Sequence, residues 1–269
     1  MEPVYGAVNL LGRGVLAALG VRVRVAGLAN IPTRGPVILA STHGSFLDFV
    51  VLEKAAIGRH RHVRFLTRHD AWAGPVVSFA MNRMQHIPVD RDSPAAAALT
   101  ARRMLAAGEA VGIFPEAGIS HSYTVRGLMR GAAALARETG APVVPVAIWG
   151  AQRIASVGDP RRKPDLTRGR PVDARFSRPL HVAPATDLTE ATQALGATLT
   201  ALLEGLQRMP HHQPRAGEPA PWHPAHLGGD APDVDRARTL DGLPAGAVPA
   251  TWGPWARVEP ALGGADLNT

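Results

Sequence analysis

His43 and Asp48 stand five positions apart in the stretch STHGSFLDF, residues 41–49, directly after an apolar run. A neutral imidazole with an ordinary pKa near ~6.5 can take a hydroxyl proton near neutral pH. General-base help of this kind is typically worth about 10²–10⁴-fold. A carboxylate on the other ring nitrogen would hold the imidazole in place and stabilise the imidazolium that forms. The same residues also fit helix punctuation, since Ser45-x-x-Asp48 reads as an N-cap with an acid three residues on. Residues five apart on an ideal helix point roughly 140° from one another. The pair therefore works only with His43 in the turn before a helix and Asp48 in its first turn. A cap at Ser45 places them there, so the two readings agree. With eleven histidines and thirteen aspartates in 269 residues, chance alone supplies roughly 0.5 such pairs. Spacing alone decides nothing, and the rest of the chain must.

Three further polar groups sit where an apolar strand gives way to a loop. Arg91 follows HIPVD, and its planar fork suits a pair of phosphate oxygens, although Asp90 and Asp92 could simply balance it at the surface. Glu116, Gly118 and Ser120 lie in FPEAGIS, residues 114–120. A carboxylate there could accept from an alcohol or hold a basic side chain, or merely close a loop. Gly118 would admit close backbone approach, Ser120 would add a donor, and Arg126 could bring a cation. In open α/β sheets the carboxyl edge of the strands is where ligand sites form.

Other chemistries fall away. The chain has no cysteine, which excludes disulfides, thiolate zinc sites and cysteine nucleophiles. GRGVLA, residues 12–17, matches a dinucleotide-binding pattern but follows no strand. No Walker A, GxSxG or HExxH motif occurs. His223 and His226 form an HxxH pair without a third ligand, so no metal site is expected.

The elements that must position these groups alternate between short apolar runs and helical patterns, the mark of an α/β layer architecture. Strands are predicted at 21–27, 36–41, 62–67, 85–90, 110–115, 142–149 and 171–176. Helices are predicted from Pro94 to a stop at Gly108, up to Gly140, and over 187–209 behind a cap at Asp187 or Thr189. The apolar stretch 70–84 reads as core, with contact to lipid or an acyl chain as the alternative. Val4, Val8, Leu11, Val15 and Leu19 have near-helical spacing within residues 1–20, which suits a helix lying on a membrane interface or covering the core. From Pro210 onward Pro, Gly and Ala dominate and periodicity vanishes. Residues 1–209 are thus expected to form one domain and 210–269 a disordered tail.

Net charge is +7, unevenly spread: 25 basic against 15 acidic residues up to 209, then 4 against 7. A basic body suits an anionic partner such as a membrane surface, a phosphorylated substrate or nucleic acid. No aromatic-basic interleaving or groove-reading motif supports nucleic acid. No apolar run is long enough to span a bilayer, and the first residues lack the basic start of a signal peptide.

The order of motifs, His-x4-Asp, then a strand ending in Arg91, then FPEAGIS, then VVPVAIW, resembles the glycerolipid acyltransferases, best known as 1-acylglycerol-3-phosphate acyltransferases. The resemblance runs from about residue 22 to 208. It implies a central mixed, largely parallel sheet flanked by helices, preceded by a short N-terminal helix. It further implies transfer of a fatty acyl group from acyl-CoA or acyl carrier protein to the hydroxyl of lysophosphatidic acid, without metal or other cofactor. His43 and Asp48 would be catalytic, and Arg91, Glu116, Gly118, Ser120 and Arg126 would bind substrate. The protein would be peripheral on the cytoplasmic face of a membrane. The chain departs from the family pattern at Ile119, where a basic residue is usual and whose charge Arg126 or His121 could supply, and at Thr42, where Asn is common. Another acceptor is therefore the alternative: glycerol 3-phosphate, a lysophospholipid or another lipid alcohol. Lower still ranks a non-catalytic binder of anionic membranes.

Overall fold

A computed structural model describes residues 3–90, 93–158 and 165–253. Seven strands, β1 (Arg22–Ala26), β2 (Val37–Ser41), β3 (Val63–Arg68), β4 (Ile87–Val89), β5 (Ala110–Ile113), β6 (Val143–Trp149) and β7 (Pro171–Phe176), form one sheet in the order β1-β7-β6-β2-β5-β3-β4. All neighbours run parallel except β6 and β7. Each strand lies within a run predicted from sequence, except that β3 extends one residue past its run, to Arg68. The central strands β2, β5 and β6 are buried at every position, as expected of parallel strands covered on both faces.

Helices α1 (Pro3–Ala18), α2 (Asp48–Ile57), α3 (Gly74–Arg83), α4 (Ala95–Ala106), α5 (Gly131–Thr139), α6 (Leu188–Gln207) and α7 (Val234–Leu240) accompany the sheet. Alternation along β2 divides two cores. Val37 and Leu39 pack with Val51, Leu52, Ala55 and Ala56 of α2. Ile38 and Ala40 pack with Ala101 and Leu105 of α4, Leu135 of α5 and Leu199 of α6. The Asp187 carboxylate caps α6 by accepting from the N–H groups of Thr189 and Glu190, and Gly140 ends α5 in the left-handed conformation its missing Cβ permits.

Two expectations need correction. The stretch 70–84 is not core except at its last residue, the buried Met84: α3 carries no buried residue, and Val76, Val77 and Phe79 are exposed. The segment 210–253, expected as part of a disordered tail, folds back onto the α4–α6 side. Trp222 and Trp252 are buried in that core, the Trp252 indole N–H donates to Val125 O at 3.1 Å, and Val248 bridges Leu128. Trp252 fits because Gly196 of α6 has no Cβ; one would lie 2.5 Å from its ring. Pro/Gly-rich composition hides such packing, since scattered anchors in irregular backbone leave no period to read. The remainder of the expected tail, 254–269, lies outside the described residues.

Asp173, His211 and His212 have the chemistry of metal ligands and lie close together. One oxygen of Asp173 accepts from both imidazoles, at 3.0 and 2.8 Å, and from the Arg24 guanidinium at 2.7 Å. That guanidinium already provides the oxygen with a cation. The cluster fastens the chain after α6 to β7 and β1.

Candidate active site

Strands β2, β5 and β6 are parallel neighbours, so their carboxyl ends meet at one edge of the sheet. The segment after β2 brings His43 there, and the loop after β5 brings Glu116. Asp48 is the first residue of α2. One of its oxygens, Oδ2, accepts from three groups: His43 Nδ1 at 3.1 Å and the N–H groups of Gly44 and Ser45, both at 2.8 Å. Ser45 Oγ in turn accepts from the Leu47 N–H at 3.1 Å. The N-cap of α2 is Leu47, without a side-chain cap, so the cap expected at Ser45 is not found. The Ser45 and Asp48 bonds instead close the turn before the helix, and His43 joins them there while Asp48 opens the first helical turn, as the spacing predicts. Burial pushes the Asp48 carboxyl up from its ordinary value, against the opposing pull of His43 and of the two N–H groups.

The imidazole stacks on Phe114 with ring centroids 4.3 Å apart, and its side chain is 21% exposed. With Nδ1–H donated to Asp48, Nε2 is the basic nitrogen, and no described residue bonds it. Beside the ring lies a small pocket lined by Thr42, Gly44, Glu116, Ser120, Tyr123, Thr124, Ile148, Trp149 and Leu203. Thr42 Oγ1 accepts from the Ile148 N–H at 3.2 Å, fixing the β2 end against β6.

Glu116 lines the pocket, yet both its oxygens are committed. Oε1 accepts from the His43 N–H at 2.8 Å and Oε2 from the Arg126 N–H at 3.2 Å. Burial pushes its carboxyl up to about 7, opposed by those two bonds and by the Arg126 charge. The role found is to hold the backbone of the loop that carries His43, where the sequence suggested contact with an alcohol or a basic side chain.

Arg126 and Gly118 also differ from expectation. The Arg126 guanidinium is buried, with Nε and Nη2 donating to Glu116 O at 3.0 and 2.8 Å, and Nη1 to Asp241 O at 2.6 Å. Its donors serve the protein's own carbonyls, and it does not line the pocket. A Cβ on Gly118 would lie 2.4 Å from Nη2, so Gly118 makes room for this guanidinium. Ile119 is buried. Arg91 lies outside the described residues. Asp241, Tyr123, Trp149 and Leu203 were not legible as site residues. Asp241 is 115 positions from Arg126, and the excess of acid after residue 210 was the sole hint.

The acyltransferase family model matches residues 22–149, the stretch from β1 to the end of β6. Over this stretch, just under half of the chain, the sequence is similar to the acyltransferase family. The stretch holds His43, Asp48 and the FPEAGIS loop. A chloroplast 1-acyl-sn-glycerol-3-phosphate acyltransferase of Arabidopsis thaliana is 28% identical over 141 residues, 51% of this chain and 38% of that one. The Bacillus subtilis 1-acyl-sn-glycerol-3-phosphate acyltransferase is 29% identical over 137 residues, 51% of this chain and 67% of that one. The alignments thus span about two fifths of the plant relative and two thirds of the bacterial one. The crystal structure of the 1-acyl-sn-glycerophosphate acyltransferase PlsC from Thermotoga maritima superimposes with a TM-score of 0.63 at 20% identity, over 76% of this chain and 80% of that one. The fold around the matched stretch is therefore shared. The α7 segment with Asp241 lies beyond the family match.

Proposed function

We propose that the chain transfers a fatty acyl group from a thioester, acyl-CoA or acyl carrier protein, to the free hydroxyl of lysophosphatidic acid. The observation that carries this reading is the His43–Asp48 bond beside a pocket, with Nε2 left free. His43 Nε2 takes the hydroxyl proton, and the acceptor oxygen attacks the thioester carbonyl. Collapse of the tetrahedral intermediate breaks the carbon–sulfur bond, and the imidazolium returns its proton to the departing thiolate. With no cysteine in the chain, direct transfer is favoured over an acyl-enzyme. Arg91 would meet the acceptor phosphate. Thiol release from acyl-CoA in the presence of lysophosphatidic acid, lost in His43→Ala, tests the reading; equal release by the variant would sink it.

One observation favours a different acceptor. The pocket lining contains no arginine or lysine among the described residues, Ile119 stands where the family usually carries a basic residue, and the Arg126 donors are spent on carbonyls. An acceptor panel including a lysophospholipid and an uncharged lipid alcohol separates the two readings. Preference for the uncharged alcohol would remove the phosphate role of Arg91.

We also propose that the protein works at the surface of a membrane, on its cytoplasmic face. None of the described helices is long and apolar enough to cross one. Exposed Leu10, Leu11 and Val15 on α1 and Val76 and Phe79 on α3 support interfacial binding.

A further inference from the structure

The third-motif loop is held from both directions. Its start, Glu116, fixes the His43 N–H, and Ser120 N–H donates to His43 O at 3.3 Å. Its end, Arg126, is fixed to Glu116 through three donors. Between these points Gln207 of α6 donates to Tyr123 O at 2.7 Å and Trp252 to Val125 O at 3.1 Å. Residue 121 and the Arg126 guanidinium are held by a further residue beyond the family match. The Asp241 carboxylate, just after α7, accepts from both the N–H and Nδ1 of His121 at 2.9 and 2.8 Å. Its carbonyl accepts from Arg126 Nη1, with the second carboxylate oxygen 3.9 Å from the same nitrogen. Its side chain is 7% exposed, so these bonds form away from water.

We propose that Asp241 is a positioning residue for acyl transfer, and that segment 210–253 is a working part of the catalytic unit. The inference rests on the acyl-transfer reading above. Asp241 pins residues 121 and 126, which flank Tyr123 and Thr124 of the pocket wall. Through Arg126 and Glu116 the same constraint reaches the backbone of His43. A carboxylate is required because one oxygen accepts two N–H groups while the other faces a guanidinium; an amide would turn a donor toward one of them. The His43–Asp48 bond itself does not depend on Asp241, so its loss acts first on how the acceptor is held.

Asp241→Asn tests this, with Asp235→Asn as a control that makes the same charge change on the exposed face of α7. The expected result for Asp241→Asn is a rise of about 10-fold or more in the acceptor KM, a smaller change in kcat and an unchanged thioester KM. Asp241→Glu should recover part of the loss, and Asp235→Asn should match the parent. Imidazole resonances of His121 and His43, recorded by NMR in the parent and in Asp241→Asn, give a readout independent of turnover. Both sets should shift in the variant and remain in place in the control. If the parent turns over none of the acceptors, the acyl-transfer reading fails, and the His43 resonances still decide whether Asp241 reaches the catalytic loop. Unmoved His43 resonances, or an acceptor KM within about twofold of the parent, overturn the proposal.

Discussion

His43 can serve as a base because three separate groups hold it. Asp48 accepts from its ring, Glu116 accepts from its backbone N–H, and Phe114 lies against its face. Removing the ring should therefore cost chemistry without costing fold, since the side chain is partly exposed. His43→Ala is expected to lower kcat by about 10²–10⁴-fold with a melting temperature close to the parent's. Asp48→Asn should approach that loss in activity and also destabilise the fold, because Gly44 and Ser45 depend on the same buried oxygen. An unsatisfied buried group costs about 1–3 kcal/mol. Kinetics and urea unfolding of both variants check the pair. Parent-like kcat in Asp48→Asn would separate the carboxylate from catalysis. The pairing itself was legible in sequence because a spacing of five across a helix start, with Asp48 in the first turn, specifies one local geometry. The task of Arg126 was not, because it depends on a contact with a residue far along the chain.

Helix α1 is fastened by a buried polar group. Tyr5 of α1 donates its hydroxyl proton to Val63 O at 2.9 Å and accepts from the Val63 N–H at 2.8 Å. Glu53 of α2 lies beside it, accepting from Asn9 Nδ2 and the Val63 N–H. Burial is the largest influence on Glu53 and pushes its carboxyl up to about 7, from an ordinary 4.5. An acid raised in the folded state binds more protons there than in the unfolded chain between those values. Its contribution is thus fully present below about 4.5 and lost as pH rises through about 7. Buried His86 and His212, both lowered to about 4, slope the opposite way over much of this window. The total pH dependence therefore mixes both, whereas a difference between variants isolates Glu53. Glu53→Gln should gain stability relative to the parent as pH rises from 4.5 to 7.5, by on the order of 1–3 kcal/mol. Unfolding at both pH values measures it, and a pH-independent difference would refute it. At α6, Gly196→Ala drives a methyl group into the Trp252 ring. Overpacking typically costs about 1–3 kcal/mol, and tryptophan emission should shift to the red as the ring leaves its site. Every strand was legible because its apolar residues, continuous in β5 and β6 and alternating with charge in β1, lie in a short run bounded by turn residues. The docking of 210–253 was not, because it is made by scattered anchors, Trp252 against Gly196 among them, with no shared period.

At the scale of the whole molecule, the sheet edge that carries His43 lies near large apolar side chains that are exposed among the described residues. Phe46 and Phe49 at the start of α2 are exposed, only a few residues from His43. Helix α1 packs against both α2 and α3, and Leu10, Leu11, Val76 and Phe79 are more than half exposed. A soluble surface seldom presents so many large apolar side chains without a partner. A lipid acceptor would be met at such a surface, and the net charge of +7 favours one that is anionic. Burying a large apolar side chain is worth about 1.5–3 kcal/mol. Changing Leu10, Leu11 and Phe79 together to Ser should therefore weaken binding to phosphatidylglycerol-containing vesicles by at least about 10²-fold, even with partial insertion. The melting temperature should hold, because none of the three is buried. Binding of the parent should also fall as salt rises from 0.05 to about 0.5 M, where exposed charges are screened within several ångströms. Turnover of a short-chain acceptor dissolved as monomers should be the same in parent and triple variant, because that substrate reaches His43 without the bilayer. Parent-like vesicle binding by the triple variant would show that the apolar surface has another use.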